Sequence, residues 1–212
     1  VTTGANAFET SANVFKGASG QKGVYLRSAL SAEGTPSYSS VDDTNTGIFL
    51  PGSDVFGVTT GGSERLRIDS SGRVLISHTA SRTVGTKTGQ LQVIESGNNA
   101  AISIIQTNNA ASAPFLAFGK TRSANDTDST IVQNNDSLGQ ILFCGADGAN
   151  LDSIGAWILA QVDGAPGSND IPGRLIFSTT PDGYATPTER LRITSAGYVG
   201  INQTSPDYEL DV

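Results

Sequence analysis

Few side chains in this sequence can do chemistry, and their spacing limits what they can do. Histidine occurs once, at His78, and cysteine once, at Cys144. Nucleophilic catalysis would need His78 as its base, yet Ser77-His78-Thr79-Ala80 has no nucleophile-elbow pattern beside it, so it reads as a loop histidine. Cys144 ends the apolar run Ile141-Leu142-Phe143, the setting of a small core residue, and a lone cysteine makes no internal disulfide. One cysteine and one histidine are too few for a zinc site. Oxygen-rich loops at Asp126-x-Asp128, Asp147 to Asp152 and Asp163 to Asp170 are of a kind that holds calcium, but none has EF-hand spacing and Asp-Gly is ordinary turn chemistry. Paired carboxylates hydrolyse glycans, yet no pair among the 20 acidic residues is singled out by pattern. Gly164 to Gly167 lacks the Lys-Ser or Lys-Thr of a phosphate loop. The expectation is a non-enzyme with no catalytic residue, no cofactor and no metal. Sugar contact is left to two aromatics, Trp157 and Tyr184, of which Trp157 lies in an apolar run and reads as core. The polar stretches 121–129 and 145–153 are the candidate receptor loops.

Composition says what kind of scaffold must carry these residues. Of 212 residues 25 are glycine, serine, threonine and asparagine are abundant, methionine is absent and only 16% are charged. Helical bundles are rich in Ala, Leu, Glu and Lys, so an all-β, turn-rich chain is expected instead. The hydrophobic fraction of 37% is regularly placed, unlike that of a disordered chain. No apolar run is long enough to span a membrane, and no signal peptide opens the sequence. Net charge is −7 with no basic cluster, which argues against binding nucleic acid through its phosphates.

The strongest signal is internal repetition. GGSERLRIDSSGRVLI at 61–76 recurs as TPTERLRITSAGYVGI at 186–201, and Glu64 to Ile68 matches Glu189 to Ile193 identically. This interval is too long for a solenoid and suggests a joint between larger modules. Alternation places Leu66 and Ile68 on one strand face and Arg65 and Arg67 on the other, with Leu191 and Ile193 set likewise against Arg190 and Arg192. A turn at Gly72 or Gly197 leads to a second short strand carrying Val74 and Ile76, or Val199 and Ile201. Leu91-Gln92-Val93 echoes Leu210-Asp211-Val212, and since the first copy continues into new sequence, the module is expected to continue beyond Val212.

Between the joints, strands are expected at Ile102–Gln106, Phe115–Gly119, Ile131–Gln133, Gly139–Cys144, Ala156–Val162 and Arg174–Thr179, separated by Gly-, Asn- and Asp-rich turns. A short helix is expected at Ala5–Lys16 or Leu26–Ala32. The organisation reads as a connecting segment (1–35), a first hairpin module (36–86), a central sandwich-like β module (87–184) and a second hairpin joint (185–212).

GIFLPGSDVFGVTTGGSERLRIDSSGRVLIS, VDGAPGSNDIPGRLIFSTTPDGYATPTERLRITSAGYVGI and the closing TSPDYELDV resemble modules of bacteriophage tail-fibre and related virion proteins, especially those of marine and cyanobacterial phages. The resemblance implies an elongated, intertwined homotrimer in the virion tail fibre, in contact with other tail proteins and with host surface glycan. It also implies that the LDV segment precedes an intramolecular chaperone, whose catalytic Ser and Lys have no counterpart here. Physical reasoning points the same way: a hairpin with two inward apolar side chains buries too little alone, whereas three copies pool their side chains and cover open edges. Leu66, Ile68, Val74, Ile76, Leu191, Ile193, Val199 and Ile201 are expected at the trimer axis. Glu64, Arg65, Arg67, Glu189, Arg190 and Arg192 are expected to pair between chains. A glycan-degrading tailspike and a bacterial trimeric adhesin are the alternatives.

Overall fold

The computed structural model describes residues 30–212, and these residues form no helix. The helix expected at Ala5–Lys16 lies outside the described residues. Of the alternative at Leu26–Ala32, only 30–32 are described, where Ala32 makes an isolated bridge with Thr35 instead. The chain is all-β and divides into two units, one ending at Thr79 and one beginning at Ala80.

The first unit is an antiparallel meander of β1 (Tyr38–Ser40), β2 (Asp43–Gly52), β3 (Val55–Thr60), β4 (Ser63–Ile68) and β5 (Val74–Ile76). Its turns explain the glycine content. β3 and β4 are joined by Gly61-Gly62, both at positive φ (59° and 73°), the conformation whose twist matches a two-residue hairpin. β4 and β5 are joined at Asp69–Arg73, where Gly72 (φ 77°) donates its N–H to the Asp69 carbonyl at 2.8 Å.

The second unit contains β6 (Leu91–Val93), β7 (Ser137–Gly145), β8 (Ser153–Val162), β9 (Gly173–Thr179), β10 (Thr188–Ile193), β11 (Val199–Ile201) and β12 (Leu210–Asp211). One sheet runs in the order β12-β11-β10-β9-β8-β7, antiparallel except for the parallel β11–β12 pair. Three of the expected strands lie within β7, β8 and β9. The other three, Ile102–Gln106, Phe115–Gly119 and Ile131–Gln133, do not form, since nothing in the described chain pairs with them. β7, β8 and β9 form one sheet layer, which β10 and β11 extend.

Only five hydrophobic side chains are buried among the described residues: Phe49, Leu75, Val132, Val162 and Ile176. Phe49 shows how tightly the first sheet is built. It stands opposite Gly57, and a Cβ at Gly57 would lie 2.4 Å from the Phe49 ring. Gly57→Ala is expected to force that ring aside and to cost about 1–3 kcal/mol of stability, read as a lowered Tm by calorimetry. An unchanged Tm would refute the close contact.

Candidate functional site

The repeated ERLRI strands hold one irregularity that organises everything around them. In β4, Leu66 pairs with Val58 and Glu64 with Thr59, so Arg65 is an extra, bulged residue. In β10, Leu191 pairs with Phe177 and Glu189 with Ser178, so Arg190 is its counterpart. A bulge inserts one residue and resets the alternation of side chains. Glu64 and Arg67, which an unbroken strand would point to opposite faces, therefore share one face, as do Glu189 and Arg192.

Each pair closes as a two-pronged fork. Arg67 donates from Nε and a terminal nitrogen to the two Glu64 oxygens at 2.5 and 2.7 Å, and Arg192 does the same to Glu189 at 2.5 and 2.8 Å. The bond to its glutamate raises each guanidinium pKa, against the opposing effect of burial. Within one chain these four residues are thus paired with each other. Arg65 and Arg190 instead donate to the hydroxyls of Thr60 and Thr179, at 3.0 and 3.1 Å. Their carbonyls accept from Ser77 and Asn202, both in the left-handed region at φ 60° and 55°.

The opposite face is apolar across every strand. In the first unit, register places Tyr38, Ile48, Val58, Leu66 and Ile76 in one row and Phe56, Ile68 and Val74 in the next. In the second unit one row is Ile141, Ile158, Phe177, Leu191 and Ile201, and the adjacent one includes Leu175, Ile193 and Val199. All eight residues expected at a trimer axis lie on these two faces, and none is buried; Ile68 and Ile193 are 38% and 39% exposed. Reading the hairpins alone misses Ile48, Phe56, Val58, Ile141, Ile158 and Phe177. Extending the parity of Leu66 and Leu191 across the pairing partners finds them.

Most of the acidic candidates make hydrogen bonds within the chain. Asp147 accepts the backbone N–H of Ala149 and Asn150 and the Ser153 hydroxyl, and these bonds hold its carboxyl down to about 2. Asp136 is held well below the usual carboxylate range by the Arg122 fork and the Gln133 N–H. Asp163 binds Arg174 and the Ser195 N–H. Asp128 takes Asn125 and, at the limit of range, Ser123. Among the described residues no three of His, Cys, Asp or Glu converge on a point where an ion would sit. His78 follows β5, and Cys144 is half-buried on β7. Trp157 lies on the Glu189 face in a row with Leu142 and Ser178; its indole N–H is buried and has no hydrogen-bond partner. Tyr184 is exposed in the β9–β10 loop.

The chain is similar to the carboxy-terminal domain of the bacteriophage T5 L-shaped tail fibre, with 14% identity, a TM-score of 0.63, and coverage of 94% of this chain and 93% of that one. It is also similar to that domain solved with its intra-molecular chaperone domain, at 13% identity and TM-score 0.62, spanning 93% of this chain and 64% of the other. At these identities the likeness is one of fold. No protein-family model and no curated protein matches the sequence.

The lowered carboxyl of Asp147 makes a pH prediction. Its folded pKa of about 2 lies below its ordinary value of 3.8, so between them the unfolded chain binds more protons and stability falls with acid. The contribution is whole above about pH 5 and is lost as pH drops through 2. Asp147→Asn is expected to flatten the fall in Tm between pH 5 and 2, and an unaltered slope would discard this role.

Proposed function

We propose that this chain is a non-catalytic structural segment of a phage tail fibre that acts as a homotrimer in the virion and supports attachment to the host cell. The observation that carries the reading is the pair of apolar sheet faces. Each extends over all the paired strands of its unit, and each is left half-exposed by its own chain. Contiguous apolar surface of this kind marks a site of association. Packing each face against its two counterparts around a three-fold axis removes it from water and satisfies the symmetry of a closed assembly. The Glu–Arg forks then stay on the side away from the axis, and Arg65 and Arg190, bound only to threonine hydroxyls, are the charges free to meet a neighbouring chain. Fold similarity to the T5 fibre domain supports the fibre assignment.

A tailspike depolymerase would carry a long parallel β-helix, whereas the strand pairs β1 to β5 and β7 to β11 are antiparallel and β11–β12 is a short parallel pair. Contact with host glycan falls to exposed loop residues, with Tyr184 beside Asp152 and Thr180 in one open cleft. The remaining partners are other tail proteins.

Sedimentation at micromolar concentration tests the reading. The wild-type chain is expected to run as a trimer. Leu66→Asp combined with Leu191→Asp is expected to yield folded monomers, because both side chains are only partly buried within one chain. A folded wild-type monomer sinks the proposal.

A further inference from the structure

Between β6 and β7 the chain runs from Ile94 to Asp136 without strand or helix. It carries two apolar stretches, Ile102-Ser103-Ile104-Ile105 and Phe115-Leu116-Ala117-Phe118. Most of their side chains stand largely in solvent: Ile102 is 74% exposed, Ile104 52%, Ile105 79% and Phe115 81%. Among the described residues no backbone–backbone hydrogen bond involves any of 98–119. Alternating β-branched residues with unpaired backbone are strand sequence without a ladder.

The same unit contains a ladder without its last strand. β7 is the edge of its sheet, bonded to β8 on one side only. It is nine residues long, and SLGQILFCG contains no charge and no proline. Edges that face water are kept short, charged or interrupted by proline, since a long apolar edge recruits another strand. Ile141 and Phe143 on this edge are 45% and 54% exposed. Phe118 of the same chain already sits over Gly139, where a Cβ would lie 2.7 Å from the Phe118 Cβ. Beside it opens an apolar cleft of ≈ 250 Å³, lined by Leu138, Ile141, Ile158, Ala160 and Leu175 as well as Phe118.

We infer that residues 101–106 of one copy add as a strand to the outer edge of β7 in a second copy, with Ile102 and Ile104 entering the cleft beside Ile141. The inference rests on the trimeric reading above and specifies how the chains join. Donor and acceptor occur once in every chain, so every copy gives one strand and receives one. They are different surfaces, which makes the contact head-to-tail; such contacts close as a ring, not as an isologous dimer. Backbone bonds to the edge supply affinity and the alternate side chains supply register.

Amide hydrogen exchange of the assembled full chain, read by mass spectrometry beside sedimentation, tests it. In wild-type trimers, residues 101–106 and those β7 amides that face away from β8 are expected to exchange at least about tenfold more slowly than free peptide. Ile102→Asp with Ile104→Asp, at positions more than half exposed within the chain, is expected to abolish that protection. The decisive sample is an equal mixture of unlabelled wild-type and ¹⁵N-labelled variant, unfolded and refolded together. The variant's own β7 is expected to split into protected and unprotected populations, since some copies receive a wild-type strand. A single unprotected population would place any pairing within one chain and overturn the inference. Rapid exchange of 101–106 in a wild-type trimer would overturn it while leaving the trimer standing, whereas a wild-type monomer would remove the trimer as well.

Discussion

In a regular strand a glutamate and an arginine three residues apart point to opposite sides of the sheet, and here they meet on one side because Arg65 and Arg190 are bulged out between them. That displacement sets the polarity of both sheets. With the charged fork gathered on one face, Leu66, Ile68, Leu191 and Ile193 fall into register with apolar residues from every neighbouring strand. The forks are only partly exposed and both carboxylate oxygens are occupied, so each charge is matched where it lies. Removing one partner would leave the other poorly solvated, a larger penalty than the pair's own net contribution. The bulge and the fork thus act together: the first creates the proximity, and the second holds the bulge.

The two copies also show how far one local design tolerates different surroundings. Position 75 and its counterpart 200 both lie opposite the fork arginine, yet one is a buried leucine and the other a glycine. At Gly200 a Cβ would come within 2.2 Å of the Gln203 carbonyl oxygen, because the chain after Asn202 turns back across the strand. That return leads into the parallel strand β12, whose Leu210 pairs with Val199. The identical residues therefore specify the bulged hairpin, while the variable ones report what passes over it.

Much of this was legible in the sequence because it is local. Period-two alternation located β4, β5, β10 and β11, and Gly72 and Gly197 marked turns that both need positive φ. The extension of each apolar face across whole sheets follows from the same parity, once pairing partners are known. The bulges were not legible: ERLRI reads as clean alternation, and only the register of the facing strand shows that one residue is skipped. Nor could alternation alone separate β7, β8 and β9 from the equally strand-like Ile102–Gln106 and Phe115–Gly119. Strand propensity describes a surface that suits a ladder, and the ladder itself depends on a partner lying elsewhere.

That dependence links the small core to assembly. Five buried hydrophobic side chains are few for the described residues, while apolar side chains line one face of each sheet and an unpaired edge bounds the second. A chain arranged in this way keeps much of its hydrophobic driving force in surfaces that it does not cover by itself. On the proposed assembly, folding and association become one equilibrium, so stability rises with chain concentration instead of being a property of the single chain. The modest hydrophobic fraction then matches the architecture: a core shared about an axis needs fewer apolar residues per chain than a core enclosed by one. The forks and Asp-centred turns fix each strand's register from within the chain, so on that proposed assembly the faces are ordered before copies meet and less entropy is lost on association.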